Sequence, residues 1–473
     1  MKNRAQEVEI FENCPVGWAV LKLAIPTVIS QIILVIYNMA DTFFIGLAGS
    51  DAMITAVTVC MPAFMFLSAI SNLFGVGGAS VISRALGMSD GQKAKHAAAF
   101  AFWGCIAVTL LYSLGALLFM DGFVNILGGS DPVVHGNSRQ YLLWTVVIGG
   151  VATSLNALLG HLVRSEGRSV QASLGIALGG VLNIGLDPLF MFVILEPGNE
   201  VLGAALATFL SNLIAALYFL FLHFRRRHTT VLSLRPCKAM VENYIPREVI
   251  ATGIPACLMT LCENISYAVL DNLMALAGTA TQAGIGVAKK VNMLAHCMVR
   301  GMAQGVLPLI GYNYAARNYK RMKSTVLIST AASVTLASIC MVVCLLFSRD
   351  LIGIFIQHGS ESVVYGAQFL KILCIGGPFS ACAYAFISFF QATGESKKSF
   401  VLAILRKGIL DIPLMFLLCN LVPIYGIVWA TPIADFVCCI VSINLFAAFV
   451  ARFPKENSVM AASNTLNPLT DRQ

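Results

Sequence analysis

Tyr37, Asn38 and Asp41 sit three and four positions apart in an apolar stretch, so a helix there carries a phenol, an amide and a carboxyl on one face. Asn183 and Asp187 repeat the i, i+4 spacing in a second apolar stretch. Polar and charged groups are expensive inside a membrane, and they ask for a function, with mutual pairing for stability as the competing explanation. Pro188 follows Asp187 and has no N–H, which frees the Ile184 carbonyl one turn earlier. A freed carbonyl, an amide oxygen and one or two carboxylates form an oxygen-rich site suited to a small hard cation or to a proton. Thr208, Ser211 and Asn212 offer further oxygens at the same depth.

The second half of the chain has its own set. Glu263, Asn264 and Asp271 fall in one apolar stretch, Lys289 and Lys290 in the next, then come Lys371, the group Arg406, Lys407 and Asp411, and Asp435. Opposite charges are available there, so ion pairs that stabilise or gate are one reading. Coupling carboxylates are the other, with Glu263 and Asp271 as candidates.

The elements that must hold these groups are membrane helices. Hydrophobic residues make up 58% of the 473 positions and charged ones only 11%, against roughly 25% charged in soluble domains. Spans of roughly 20 apolar residues read near 18–41, 53–81, 97–119, 140–161, 170–195, 201–223, 249–276, 284–312, 325–347, 364–391, 399–420 and 424–450. The two halves repeat. Ile25-Pro26 and Leu47-Ala48-Gly49 recur 229 positions later as Ile254-Pro255 and Leu276-Ala277-Gly278. Ile148-Gly149-Gly150 answers to Ile375-Gly376-Gly377, Gly167 to Gly394, Pro188-Leu189 to Pro413-Leu414 and Ala207-Thr208 to Ala430-Thr431, as the offset drifts to 223. Duplication of a helical membrane unit is a signature of secondary transporters. The expected fold is therefore all-α, with about twelve transmembrane helices in two six-helix lobes related by a pseudo-two-fold along the membrane normal.

The net charge of +8 follows the loops, which argues against nucleic acid as a partner and for the lipid bilayer. Arg84, Lys93 and Lys95, then Arg164 and Arg168, then the 224–248 linker, then Arg317, Lys320, Arg321 and Lys323, then Lys397 and Lys398 all fall on one side. The other side holds little beyond Arg139 and Arg349. By the positive-inside rule both termini are cytoplasmic. The expected organisation is a cytoplasmic tail at 1–17, an N-terminal lobe at 18–223, a basic cytoplasmic linker at 224–248, a C-terminal lobe at 249–450 and a disordered cytoplasmic tail at 451–473. Glu7, Glu9 and Glu12 near the start, with no small-residue cleavage site, speak against a signal peptide. The fourteen cysteines lack the loop spacing of a disulfide framework or zinc site.

Four stretches carry a family resemblance: residues Tyr37 to Gly46, Leu182 to Phe190 (LNIGLDPLF), the Arg164-Ser165-Glu166-Gly167 turn, and Gln304 to Tyr314 (QGVLPLIGYNY). Together they resemble the multidrug and toxic compound extrusion (MATE) family, over about residues 16 to 450, and most closely the bacterial branch of DNA-damage-inducible and staphylococcal exporters. The resemblance implies a V-shaped pair of lobes in a bacterial plasma membrane, working as a monomer without a cofactor or resident metal. It implies export of organic cations, drugs and dyes, in antiport with protons or sodium ions. The family's N-lobe cation site falls on Asp41, Asn183 and Asp187, with Thr208 and Asn156 beside them. Sodium at Asp41, Asn183 and Asp187 is the alternative to a proton. Gln31, Tyr37, Asn38 and Asn212 are the substrate-cavity candidates. Another branch uses C-lobe carboxylates, which keeps Glu263 and Asp271 as secondary candidates.

Three other functions compete. A lipid-linked oligosaccharide flippase of related fold would want a more cationic cavity and about fourteen spans. A membrane enzyme would want a P-loop or paired metal-ligand histidines, and neither motif occurs. A passive channel would conduct without exchange stoichiometry.

Overall fold

The computed structural model describes residues 9–47, 51–127, 131–242, 244–356 and 361–453. Most of the expected C-terminal tail, the first eight residues, and Ala48-Gly49 of the repeat lie outside them. All the regular elements among the described residues are helical.

The N-lobe holds α1 (Val16–Leu47), α2 (Asp51–Gly87), α3 (Gly91–Leu118), a bent α4 (Pro132–Ile148 and Gly150–Ser165), α5 (Ser169–Ile194) and α6 (Glu200–Arg225). The C-lobe holds α7 (Ile245–Ala277), α8 (Thr279–Ala315), α9 (Tyr319–Leu346), a bent α10 (Glu361–Ile375 and Gly377–Thr393), α11 (396–421) and α12 (Tyr425–Val450). Nine single helices and two bent pairs are apolar and long enough to cross a bilayer. The twelfth, α11, is split by a π-helical segment, Leu405–Asp411, that carries Arg406, Lys407 and Asp411. Helices extend beyond the apolar windows because polar caps sit outside them: Asp90, Asp131 and Asn318 accept from the first-turn N–H groups of α3, α4 and α9.

The breaks repeat with the sequence. α4 bends by 50° at Gly149-Gly150 and α10 by 43° at Gly376-Gly377, the paired glycines of the duplication. Gly167 and Gly394, which end these spans, both have positive φ (84° and 78°), a left-handed cap that a side chain would strain. Pro188 lies inside α5, just before its π-helical end, and Pro413 starts the last segment of α11.

The lobes pack together over the half of the molecule where α1 begins, as far as the Gln31–Gln304 and Asn72–Thr260 hydrogen bonds. Near the start of α1, a single core joins Ala19, Leu23 and Val76 of the N-lobe to Met302, Val306 and Leu309 of the C-lobe. Glycines permit this approach: a Cβ on Gly301 would lie 2.7 Å from Val28 Cα, and one on Gly305 2.8 Å from Ala24 Cα. Lys93 and Glu248 pair across the same end at 2.7 Å. At the other end each lobe has its own core, one around Ile45, Val57 and Val201 and the other around Leu270, Met274 and Ile427. A cleft therefore separates the lobes there.

Two segments outside the spans are held against the lobes. Residues 9–15 of the expected N-terminal tail are docked: Phe11 is buried, stacks on Tyr312 with centroids 5.0 Å apart, and its carbonyl accepts from Arg321 Nε at 2.6 Å. The linker is also tied down. Glu166 accepts from the Thr230 hydroxyl and the Val231 N–H, and Trp103 donates to the Leu234 carbonyl at 3.0 Å.

Candidate ion and substrate sites

α1, α5 and α6 bring the predicted N-lobe residues together. Gly180 lets α5 approach α1, since a Cβ there would come 2.9 Å from Ile33 and 3.3 Å from Tyr37; Gly179 does the same toward α4 and α6. Asn183 Nδ2 donates to Asp187 Oδ1 at 3.2 Å and lies 3.4 Å from Thr208 Oγ1. Asn156 Nδ2 donates to Asn212 Oδ1 at 3.0 Å, and Asn212 Nδ2 to the Thr208 carbonyl at 2.8 Å. Asp187 is 0% exposed and Asp41 4%, and the two are electrostatic neighbours. Asp41 Oδ1, Asn156 Oδ1, Asn183 Oδ1 and Asp187 Oδ2 are all buried without a hydrogen-bond partner. Four orphaned acceptors in one lobe, each costing free energy if left bare, fit a bound cation or proton. No cation pairs with either carboxylate among the described residues.

The substrate-cavity candidates divide. Tyr37 is an electrostatic neighbour of both carboxylates. Asn38 turns back along its own helix and donates to the Leu34 carbonyl at 2.7 Å. Gln31 lies where the lobes touch and donates to Gln304 at 3.2 Å. Sequence reading missed Tyr141, fully buried and within electrostatic reach of Asp41, Asp187 and Tyr37. Its only signal is a phenol in the fourth span.

The C-lobe acids are paired. Glu263 accepts from Arg300 at 2.6 Å and from Tyr384 at 3.3 Å. Asp435 accepts from Arg406 Nε at 2.6 Å, and the same guanidinium donates to Ser380 at 2.8 Å and stacks over the Tyr384 ring, Cζ 4.4 Å from its centroid. Asp411 takes donors from Lys407, Ser266 and Thr431 at 2.6, 2.6 and 2.9 Å. Asp271 pairs with Lys289 at a half-exposed position. Arg300 and Tyr384 were also missed, because neither lies at helical spacing from an acid in its own span.

Arg164 and Arg168, read from sequence as loop residues, are buried. Arg168 lies 3.6 Å from Glu166, and Arg164 belongs to the last turn of α4.

The description MatE matches residues 26–189 and again 255–417, which follows the duplication. The multidrug export protein MepA of Staphylococcus haemolyticus is 29% identical over 441 residues, covering 92% of this chain and 94% of that protein. MepA of Staphylococcus aureus is 29% identical over 434 residues, with the same shares covered. Among solved structures, the outward-facing conformation of a multidrug resistance MATE family transporter of the MOP superfamily matches with TM-score 0.87 at 22% identity, covering 94% of this chain and 98% of that one. A MOP superfamily transporter from Pyrococcus furiosus, described as having a binding pocket of reverse polarity, matches with TM-score 0.83 at 22% identity, with the same shares covered. These likenesses carry the two-lobe fold. With both halves matched in register, the chain belongs to the MatE family of membrane transporters.

Proposed function

We propose that the protein is a multidrug exporter of a bacterial plasma membrane, with both termini in the cytoplasm, exchanging small organic molecules for a cation held in the N-lobe. The observation that supports this is the group of four partnerless buried oxygens on Asp41, Asn156, Asn183 and Asp187. The names of the staphylococcal relatives supply the substrate class. On this topology the cleft faces outward. A proton on Asp41 or Asp187 neutralises part of the buried charge and holds the N-lobe in one arrangement; losing it favours the arrangement that binds the organic molecule. Exchange requires only that each ligand prefer a different state. A second reading, sodium, is favoured by the number of orphaned acceptors, since one proton satisfies fewer of them than an oxygen-coordinated cation does.

The test is efflux of ethidium from inside-out vesicles driven by a proton gradient without sodium, and separately by a sodium gradient. Asp187→Asn is expected to abolish gradient-driven efflux while the protein still elutes as a folded species. Asp41→Asn is expected to do nearly as much harm, and Arg139→Ala, at an exposed position in the first segment of α4, little. Full efflux by Asp187→Asn sinks the assignment. Dependence on sodium alone selects the second reading.

A further inference from the structure

An open cavity of about 1110 Å³ lies between the start of α3, the end of α6 and the linker, and it shares no residue with the ion and substrate candidates. Lys95, Arg227 and Arg235 stand on its wall together with His223 and His228, and no acidic residue does. All three cations are exposed, and no described acid pairs with any of them. Arg227 donates from Nε to His228 Nε2 at 3.1 Å, and its two Nη groups have no acceptor among the described residues. The acids of this region are occupied by structure. Asp90 caps α3 by accepting from the Lys93 N–H, and Glu166 accepts from Thr230, Val231 and Leu232. Those bonds, with the one from Trp103 to the Leu234 carbonyl, hold the linker side of the wall in place.

Cations gathered on one concave wall without counter-charge concentrate a positive potential that an anion relieves. Two guanidinium groups and an ammonium suit a phosphate, which accepts bidentate bonds from the first and a point charge from the second. The surroundings favour a phosphate that comes from the membrane. α3 and α6 are spanning helices, and Phe221 and Phe224 of α6 and Trp103 of α3 are exposed, so these side chains face lipid. Phe224 is part of the cavity wall, and Trp103, two turns along α3 from Lys95, touches the wall at Leu234. An indole at such a place marks the boundary between hydrocarbon and water, which puts the cations at headgroup level. We propose that this cavity binds the phosphodiester headgroup of an anionic phospholipid from the leaflet on the linker side, with Phe224 and Trp103 beside its acyl chains. Lys95 belongs to α3 and Arg227 and Arg235 to the linker, so a bound headgroup fastens the linker to the N-lobe. A zwitterionic lipid brings an ammonium to the same wall and is disfavoured by it.

The test is native mass spectrometry of the full-length, delipidated protein, titrated with phosphatidylglycerol or with phosphatidylethanolamine of the same acyl chains. The first phosphatidylglycerol is expected to bind at least about tenfold more tightly than the first phosphatidylethanolamine. Lys95→Gln, Arg227→Gln and Arg235→Gln combined are expected to bring the two lipids within about twofold of each other. Arg247→Gln, Arg317→Gln and Lys397→Gln combined remove the same charge away from the wall and are expected to keep the preference. All six positions are exposed, so both triple variants are expected to fold. No preference in the unmodified protein, a preference that survives the wall variant, or an equal loss in the control overturns the proposal. Inorganic phosphate and glycerol phosphate at millimolar concentration are expected to leave the bound lipid in place; displacement by either assigns the cavity to soluble phosphates and overturns the lipid as its ligand. Where the wall variant does not elute as a folded species, Arg235→Gln alone, expected to reduce the preference, and the unmodified protein decide it. Neither a gradient nor a drug enters this measurement, so its failure leaves the exporter reading standing, and failure of export in vesicles leaves the lipid result standing.

Discussion

Asp187 and Asp435 are both fully buried carboxylates, and they differ in what faces them. Asp435 meets the Arg406 guanidinium at 2.6 Å, whereas Asp187 meets an amide and another acid. The first is a structural pair, and breaking one side of it leaves a charge stranded in the lobe. Arg406→Met is expected to destabilise the protein by about 3–5 kcal/mol, and adding Asp435→Leu to recover much of that. Thermal unfolding of the purified variants measures both; a double variant no more stable than the single would mean that Arg406 acts through Tyr384 and Ser380 instead. Sequence spacing was sufficient to single out Asp41, Asn183 and Asp187 as candidates, because a carboxyl and an amide one turn apart are visible without tertiary contacts, and Asn183 and Asp187 do hydrogen-bond. It could not assign Glu263, whose neutralising partner, Arg300, lies 37 positions away on another helix. The burial of Arg164 was hidden for a different reason: by charge and position it reads as a loop cation, and its enclosure in the last turn of α4 depends on tertiary packing.

Among the elements, the paired breaks carry the most information. The duplicated glycines that align in sequence are the ones that bend α4 and α10 and cap them in a left-handed conformation. The helix breaks thus fall at matching positions of the repeat, with angles that depend on packing. The α1–α8 contact is set by Gly301 and Gly305 of α8, much as Gly77 and Gly253 set the contact between α2 and α7. Gly301→Val would push a branched side chain into the Val28 backbone, with an overpacking cost of about 1–3 kcal/mol. The expected result is a wider separation between spin labels at the inner ends of α2 and α8, read by double electron–electron resonance. An unchanged distance distribution would mean that the closed end does not depend on this contact.

For the whole molecule, twelve spans and a two-lobe arrangement were legible from hydropathy and repetition, because lipid forces every backbone group into a helix. Which end is closed was not legible, since that depends on which of two lobe arrangements packs better. The orientation proposed from basic loops has a built-in reporter. Cys237, in the linker, is exposed, while the other cysteines are buried or half-buried. A membrane-impermeant maleimide is expected to label it in inside-out vesicles and not in intact cells; the reverse pattern would invert the topology and turn the open cleft toward the cytoplasm.

The docked segment ahead of α1 bears on turnover. The chain enters the N-lobe through α1, yet residues 10, 11 and 14 give their carbonyls to Arg321, at the start of α9 in the C-lobe. If the lobes part as the proposed exchange requires, these three hydrogen bonds across the seam would have to open in each cycle, and the segment would act as a latch that slows that step. Arg321→Ala is expected to raise the maximal efflux rate while loosening the link between ion flow and drug flow, seen as proton leak in vesicles without substrate. An unaltered rate and an undisturbed leak would mean that the latch only anchors the N-terminus.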